Sequence, residues 1–63
     1  MSTRTLTAAA IPIDAVVRLD GRDVTVARVV NGDPLPGWLV LTDTTGKHWH
    51  LGGSERVGVV SLP

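Results

Sequence analysis

The stretch Trp38-Leu39-Val40-Leu41-Thr42-Asp43-Thr44-Thr45-Gly46-Lys47-His48-Trp49-His50-Leu51 decides the fold. Two short runs rich in strand-forming residues flank Thr44-Thr45-Gly46. A three-residue loop with Gly46 in a left-handed bulge position folds the runs back on each other. In that register Asp43 opposes Lys47 and Leu41 opposes Trp49. Leu39, Leu41, Trp49 and Leu51 then share a buried face, and Trp38, Val40, Thr42, His48 and His50 share the opposite one. A slip of one residue would place both imidazoles beside Leu39 and Leu41 and bury polar rings, so the first register is preferred. The stretch holds both tryptophans and both histidines of a chain that has no Phe and no Tyr. It is therefore expected to supply most of the large core anchors and most of the candidate chemistry.

Upstream, Asn31-Gly32-Asp33-Pro34-Leu35-Pro36-Gly37 is dense in turn-forming residues and reads as a loop stiffened by two prolines. Before it, residues 15–19 and 22–30 are rich in β-branched side chains and are separated by Asp20-Gly21. Asp-Gly between such runs is a strong hairpin signal, because a type I′ turn needs positive φ at both central positions. Val17 and Leu19 face Val24 and Val26. The alternation then breaks, and a β-bulge near Ala27 and Arg28 restores it. Downstream, residues 52–55 make a tight connection of one 3₁₀ turn, and residues 56–62 form a last strand with Val57 and Val59 inward. Gly58 within it marks a bulge or the close approach of another backbone. Residues 1–10 are rich in Ser, Thr and Ala and show no strict period. Residues 1–12 are thus expected to form a flexible N-terminal arm, and residues 13–63 a small β-barrel domain. The arm would either stay loose or add to a neighbouring subunit's sheet edge.

A chain of 63 residues is one domain, near the lower size limit for a self-supporting core. It has no cysteine, so neither a disulfide framework nor a thiolate zinc site can brace it, and a cytoplasmic location is expected. Six basic and six acidic residues give a formal net charge of zero, with the signs interspersed. That argues against the broad positive footprint of a non-specific nucleic-acid binder. A neutral surface also resists self-association weakly, which makes a homo-oligomer an open option. No apolar run approaches the ~20 residues needed to span a bilayer. The apolar segment before Pro12 is too short for a secretory leader.

Five short strands, with Gly37-Trp38 opening one, Thr45-Gly46 at the distal hairpin, Leu51 closing the next, a turn at residues 52–55 and Val57 opening the last, resemble the SH3-like small barrel. The resemblance covers residues 37–60. It implies an all-β, five-stranded barrel. Peptide-binding members of that family take polyproline segments in a groove built from an aromatic-rich first loop and a proline and a tyrosine in the 3₁₀ turn. Here the first connection is only Asp20-Gly21, there is no tyrosine, and Trp38 alone matches a groove position. The resemblance therefore carries the fold and not polyproline binding.

The candidate site is a contact surface formed by Trp38, Val40, His48 and His50 together with Pro34, Leu35 and Pro36 of the preceding loop. Exposed apolar groups clustered on a rigid hairpin suit a protein interface, and tryptophan is enriched at binding hot spots. The competing structural role for Trp38 is to cover the barrel end or the proline loop. His48 and His50 are two apart and hence share a strand face. Zinc needs about four ligands, however, and only Asp43 or a partner chain could add oxygen, so no metal and no cofactor is expected. Ser54 and Glu55 lie in a turn, and the outward histidines offer them no base in a pocket, so no catalytic site is expected. Gly52-Gly53-Ser54 lacks the helix and lysine of a phosphate loop. Arg18, Arg22, Arg28, Lys47 and Arg56 could line one side with a tryptophan, as in single-strand binding proteins. Six carboxylates offset them. The expectation is a non-enzymatic protein-interaction module, self-associating or binding another protein. A small regulatory nucleic-acid-binding barrel and a structural subunit of a phage or accessory complex are the alternatives.

Overall fold

Asp20 and Gly21 adopt φ values of 52° and 74°, the left-handed pair that closes a two-residue hairpin with the twist its strands require. The computed structural model describes residues 4–32 and 35–63. In it that turn joins β2 (Val16–Leu19) to β3 (Arg22–Asn31), with Val17 opposite Val24 and Leu19 opposite Arg22. The first hairpin thus forms as its sequence predicts. β3 is ten residues long and serves both halves of the sheet. Its first part pairs with β2, and beyond Val26 the register shifts before β3 continues along β4 (Trp38–Asp43). Val26 lies opposite Asp43, but Arg28 lies opposite Thr42. Ala27 is therefore the extra residue of the expected bulge. It bends the strand and lets Val26 and Val29 both face the core while Arg28 and Val30 face outward.

β4 returns through Thr44-Thr45-Gly46 into β5 (His48–Gly52), with Leu41 opposite Trp49 and Leu39 opposite Leu51. Gly46 holds φ 90°, and its N–H donates to Asp43 O at 3.0 Å. This is the bulged loop read from the sequence, and the register of the central hairpin is the one preferred above. Gly52 to Glu55 closes as a hydrogen-bonded turn, the Glu55 N–H donating to Gly52 O at 3.0 Å. It leads into β6 (Arg56–Ser61), which lies antiparallel beside β2 with Val17 opposite Val59. Gly58 lies within β6, between Thr5 on one side and Arg18 on the other.

The N-terminal segment corrects the expected arm. Residues 4–7 form β1 (Arg4–Thr7), paired along its whole length with β6 from Arg4 opposite Val59 to Thr7 opposite Arg56. A 3₁₀ turn at Ala8–Ala10 follows. Here Ala8 N–H donates to Glu55 O at 2.8 Å and Ala9 N–H to Gly53 O at 3.1 Å. Ala8 and Ile11 are buried, so the segment contributes to the core instead of preceding it. Residues 1–3 of the expected arm lie outside the described residues. Ile11 is extended, at φ −74° and ψ 123°, as a residue before proline is expected to be.

The fold is all-β: six antiparallel strands in one sheet of order β1-β6-β2-β3-β4-β5, with no α-helix among the described residues. The count is six where five were expected, the extra strand being β1. Among the described residues the sheet ends at β1 and β5, and no pairing joins those two edges. Its core consists of Ala8, Ile11, Ala15, Val17, Leu19, Val26, Leu39, Leu41, Val57 and Val59, with Leu6, Val24, Val29, Trp49 and Leu51 packed partly buried against it. The largest fully buried side chains are Leu39, Leu41, Val17 and Val26. Leu39 and Leu41 come from the central hairpin, as expected, while Trp49 and Leu51 of the same face are only partly buried and fill less of the centre. Small branched side chains, each contributing roughly 1.5–3 kcal/mol on full burial, do most of that work. No helix among the described residues is long and apolar enough to cross a membrane.

Candidate functional site

The outer face of the central hairpin is assembled by cross-strand pairing, since residues directly opposite one another project to the same side. Arg28, Thr42 and His48 form one row across β3, β4 and β5. Val30, Val40 and His50 form the next. Trp38 stands at the end of the face opposite Gly52 and is 47% exposed. The backbone of Trp38 is fixed at both ends of the preceding loop: its N–H donates to Leu35 O at 3.0 Å, and its carbonyl accepts from Gly32 N–H at 2.7 Å. Leu35 is 61% exposed, and Pro36 is exposed as well.

Of the sequence-predicted contact residues, Trp38, Val40, His48 and His50 are brought onto one face. Leu35 is tied to Trp38 through its backbone, and Pro34 lies outside the described residues. His48 and His50 are exposed. The Thr42 hydroxyl meets His48 Nδ1 at 2.8 Å, which orients that ring. Val30 and Val40 are only partly covered. Arg28 was not assigned to this face by sequence reasoning, because its direction depends on which residue is the bulge. The three charged or imidazole side chains here, Arg28, His48 and His50, have no carboxylate among the outer-face positions paired with them.

The inner face of the same hairpin holds a feature the sequence reading did not develop. Asp43 has the same strand parity as Leu39 and Leu41, and it is 4% exposed, the only buried charged or polar residue among those described. Its Oδ1 accepts from the Thr45 N–H at 2.8 Å, from the Thr45 hydroxyl, and from the Lys47 N–H at 3.1 Å. Its Oδ2 accepts from the Trp49 indole at 3.0 Å. The Thr45 hydroxyl first and the Trp49 indole second hold the carboxyl down at about 2, with the backbone N–H groups of Thr45 and Lys47 adding to this and burial working against it. Lys47 Nζ lies 4.1 Å from the Trp49 ring centroid, capping the indole with a cation–π contact. The group is a turn clamp: one carboxylate accepts from four donors, three from the loop and one from the Trp49 indole of β5.

That arrangement removes Asp43 from any site with the histidines, because it faces away from His48 and His50 and both its oxygens are occupied. Among the described residues no group of three or more His, Cys, Asp or Glu is placed to hold a metal ion. Three of the basic residues lie in separate places. Arg18 is bound to Asp23 at 3.0 Å on the first hairpin, Lys47 lies against Trp49, and Arg28 is on the outer face. Comparison of the chain with protein-family models, curated proteins and solved structures finds no match in any of the three.

Proposed function

We propose that the chain is a small SH3-like barrel acting as a non-enzymatic, cytoplasmic protein-interaction module, with the outer face of residues 38–51 and the adjoining loop as its contact surface. The barrel reading is supported by the order β6-β2-β3-β4-β5. This is a four-strand meander from β2 to β5, bent at Ala27, followed by the turn at residues 52–55 and by β6, which returns beside β2. In this reading β1 is an addition outside β6.

The observation that carries the functional reading is the exposure of Trp38. Trp38 is left 47% exposed near a 61% exposed Leu35, on a strand whose neighbours are fixed by ladder hydrogen bonds. A rigid aromatic group with little conformational entropy to lose suits the centre of a binding surface. The test uses immobilised wild-type chain and a Trp38→Ala variant exposed to the same cellular extract. Proteins held by the first and lost by the second, with both chains equally folded, support the proposal. Identical retention by both overturns it.

A second reading, nucleic-acid binding, is favoured by one observation: Arg28, His48 and His50 share a face with Trp38 and no paired carboxylate. Against it stands the zero net charge of the chain. A gel-shift series with single-stranded and duplex DNA at low salt decides it, since non-specific affinity is strongest there.

A further inference from the structure

We infer that the open edge of β5 is a docking strand for an extended segment of a partner protein that alternates acidic and apolar side chains. The inference deepens the contact-surface reading and rests on it. It starts from the phase of the β4–β5 ladder. At one end the Asp43 N–H donates to Lys47 O at 3.0 Å, and at the other the Gly53 N–H donates to Gly37 O at 2.8 Å. An antiparallel ladder alternates hydrogen-bonded and non-bonded pairs. Both ends therefore assign Leu41 with Trp49 and Leu39 with Leu51 as bonded pairs. Thr42 with His48 and Val40 with His50 are then the non-bonded pairs. The N–H and C=O of His48 and His50 consequently point away from β4.

Among the described residues no strand takes the far side of β5, and the main chain of His48 and His50 has no hydrogen bond beyond the ladder. The edge is limited at its other end, where Gly52 O accepts from Glu55 N–H and Gly53 O accepts from Ala9 N–H. What remains is a short run of free donors and acceptors, which is what an added strand uses for affinity.

Side chains give the occupant its chemistry. A strand paired with β5 would set alternate residues beside His48 and His50 on the outer face, with Arg28 two strands behind and no carboxylate among the outer-face positions there. The intervening residues would fall on the inner side, against the half-buried Trp49 and Leu51. Acidic groups on one side and apolar groups on the other match both faces. A second copy of this chain fits poorly. Its own edge strands read Arg-Thr-Leu-Thr in β1 and His-Trp-His-Leu-Gly in β5. Neither carries an acid to set against the imidazoles, and β1 would bring an arginine. Lys47, at the start of the edge, likewise discourages uncharged strands from adding there.

The test is a titration of the full-length, isotope-labelled chain, followed through its backbone amide signals. The probes are a Glu-Val-Glu-Val-Glu peptide, its Lys-Val-Lys-Val-Lys counterpart and a short single-stranded oligothymidylate. The amides of His48 and His50 are expected to move most with the acidic peptide and to become protected from solvent exchange. Affinity for the lysine peptide is expected to be weaker by a few fold, because its ammonium groups meet the field of Arg28 and Lys47, whereas carboxylates can accept from imidazole N–H groups. His50→Pro removes one outward N–H without breaking a bond to β4, so it should stay folded and lose the peptide. His48→Glu with His50→Glu should reverse the preference in favour of the lysine peptide, and this second variant serves if the proline variant does not fold. Equal binding of the two peptides, shifts centred away from β5, or uptake of the oligonucleotide alone would each overturn the inference. Loss of cellular partners in Trp38→Ala with no peptide response at β5 would leave the contact surface standing and remove this docking strand. Peptide uptake at β5 with no effect of Trp38→Ala on cellular partners would do the reverse.

Discussion

The two faces of the central hairpin share the same strands and ladder hydrogen bonds, yet they invert the usual placement of side chains. The inner face buries a carboxylate, Asp43, and the outer face exposes an indole, Trp38. On the inner side every polar atom is matched: four donors meet two oxygens, and no buried polar side-chain atom among the described residues lacks a partner. On the outer side the imidazoles, Arg28 and the edge backbone of β5 are left to solvent. The contrast separates what holds the fold from what is free to recognise something else. A buried acid with its hydrogen bonds complete is structural, and an exposed aromatic on a fixed strand is available for contact.

Substitutions can break that contrast, beginning with the largest effect. Leu41→Ala removes a fully buried side chain and should cost about 2–5 kcal/mol. In a domain of this size that brings the chain close to unfolding, as thermal or urea denaturation would read. Asp43→Asn comes next. An amide has one acceptor oxygen, so either the Oδ1 donors from Thr45 and Lys47 or the Trp49 indole would face an NH₂ group. The melting temperature should fall clearly. Acid gives an independent handle on the same residue. Its carboxyl titrates at about 2 in the fold against an ordinary value of 3.8. The stability it contributes is thus complete above about 4 and is lost as pH falls towards 2. Wild type should lose stability across that window, and Asp43→Asn should show a shallower acid dependence in the same denaturation series.

Gly46→Ala sharpens the contrast at the turn that sets the phase of both faces. The space around Gly46 is open, but its φ of 90° is strained for any L side chain. A loss of about 1 kcal/mol is expected by denaturant titration. His50→Ala on the exposed side should alter stability by no more than about 0.5 kcal/mol. A larger loss would place that ring in the structural half of the molecule.

Much of this arrangement could be read locally. Asp20-Gly21 and Thr44-Thr45-Gly46 each specify a turn by their φ requirements, and the alternation of residues 38–43 and 48–51 sets the register. The broken phase at Ala27 and Arg28 announces the bulge. What escaped local reading depends on distant parts of the chain. β1 has a weak pattern of its own, Arg-Thr-Leu-Thr. It becomes a strand because β6, some fifty residues along, offers it an edge, while Ala8 and Ile11 close over the core. The burial of Asp43 was implicit in its parity with Leu39 and Leu41. Its charge argued for the surface until four donors converged on it in the folded turn. Arg28 reached the outer face only through the exact position of the bulge. The shared outer face of Trp38, Val40, His48 and His50 was legible in their alternation, whereas the open edge beside them follows from strand order, which no local pattern contains.

The most direct test compares the thermal unfolding of Trp38→Ala and Trp49→Ala side by side. Trp49 packs half-buried against the core and donates to Asp43, so its loss should cost about 2–4 kcal/mol, the low side of the range for buried aromatic truncations. Trp38 is half open to solvent, and its loss should cost less than about 1 kcal/mol. A clearly lower melting temperature for Trp49→Ala alone would establish the inner face as structural and the outer face as free. Equal losses, or a larger one at Trp38, would contradict that division.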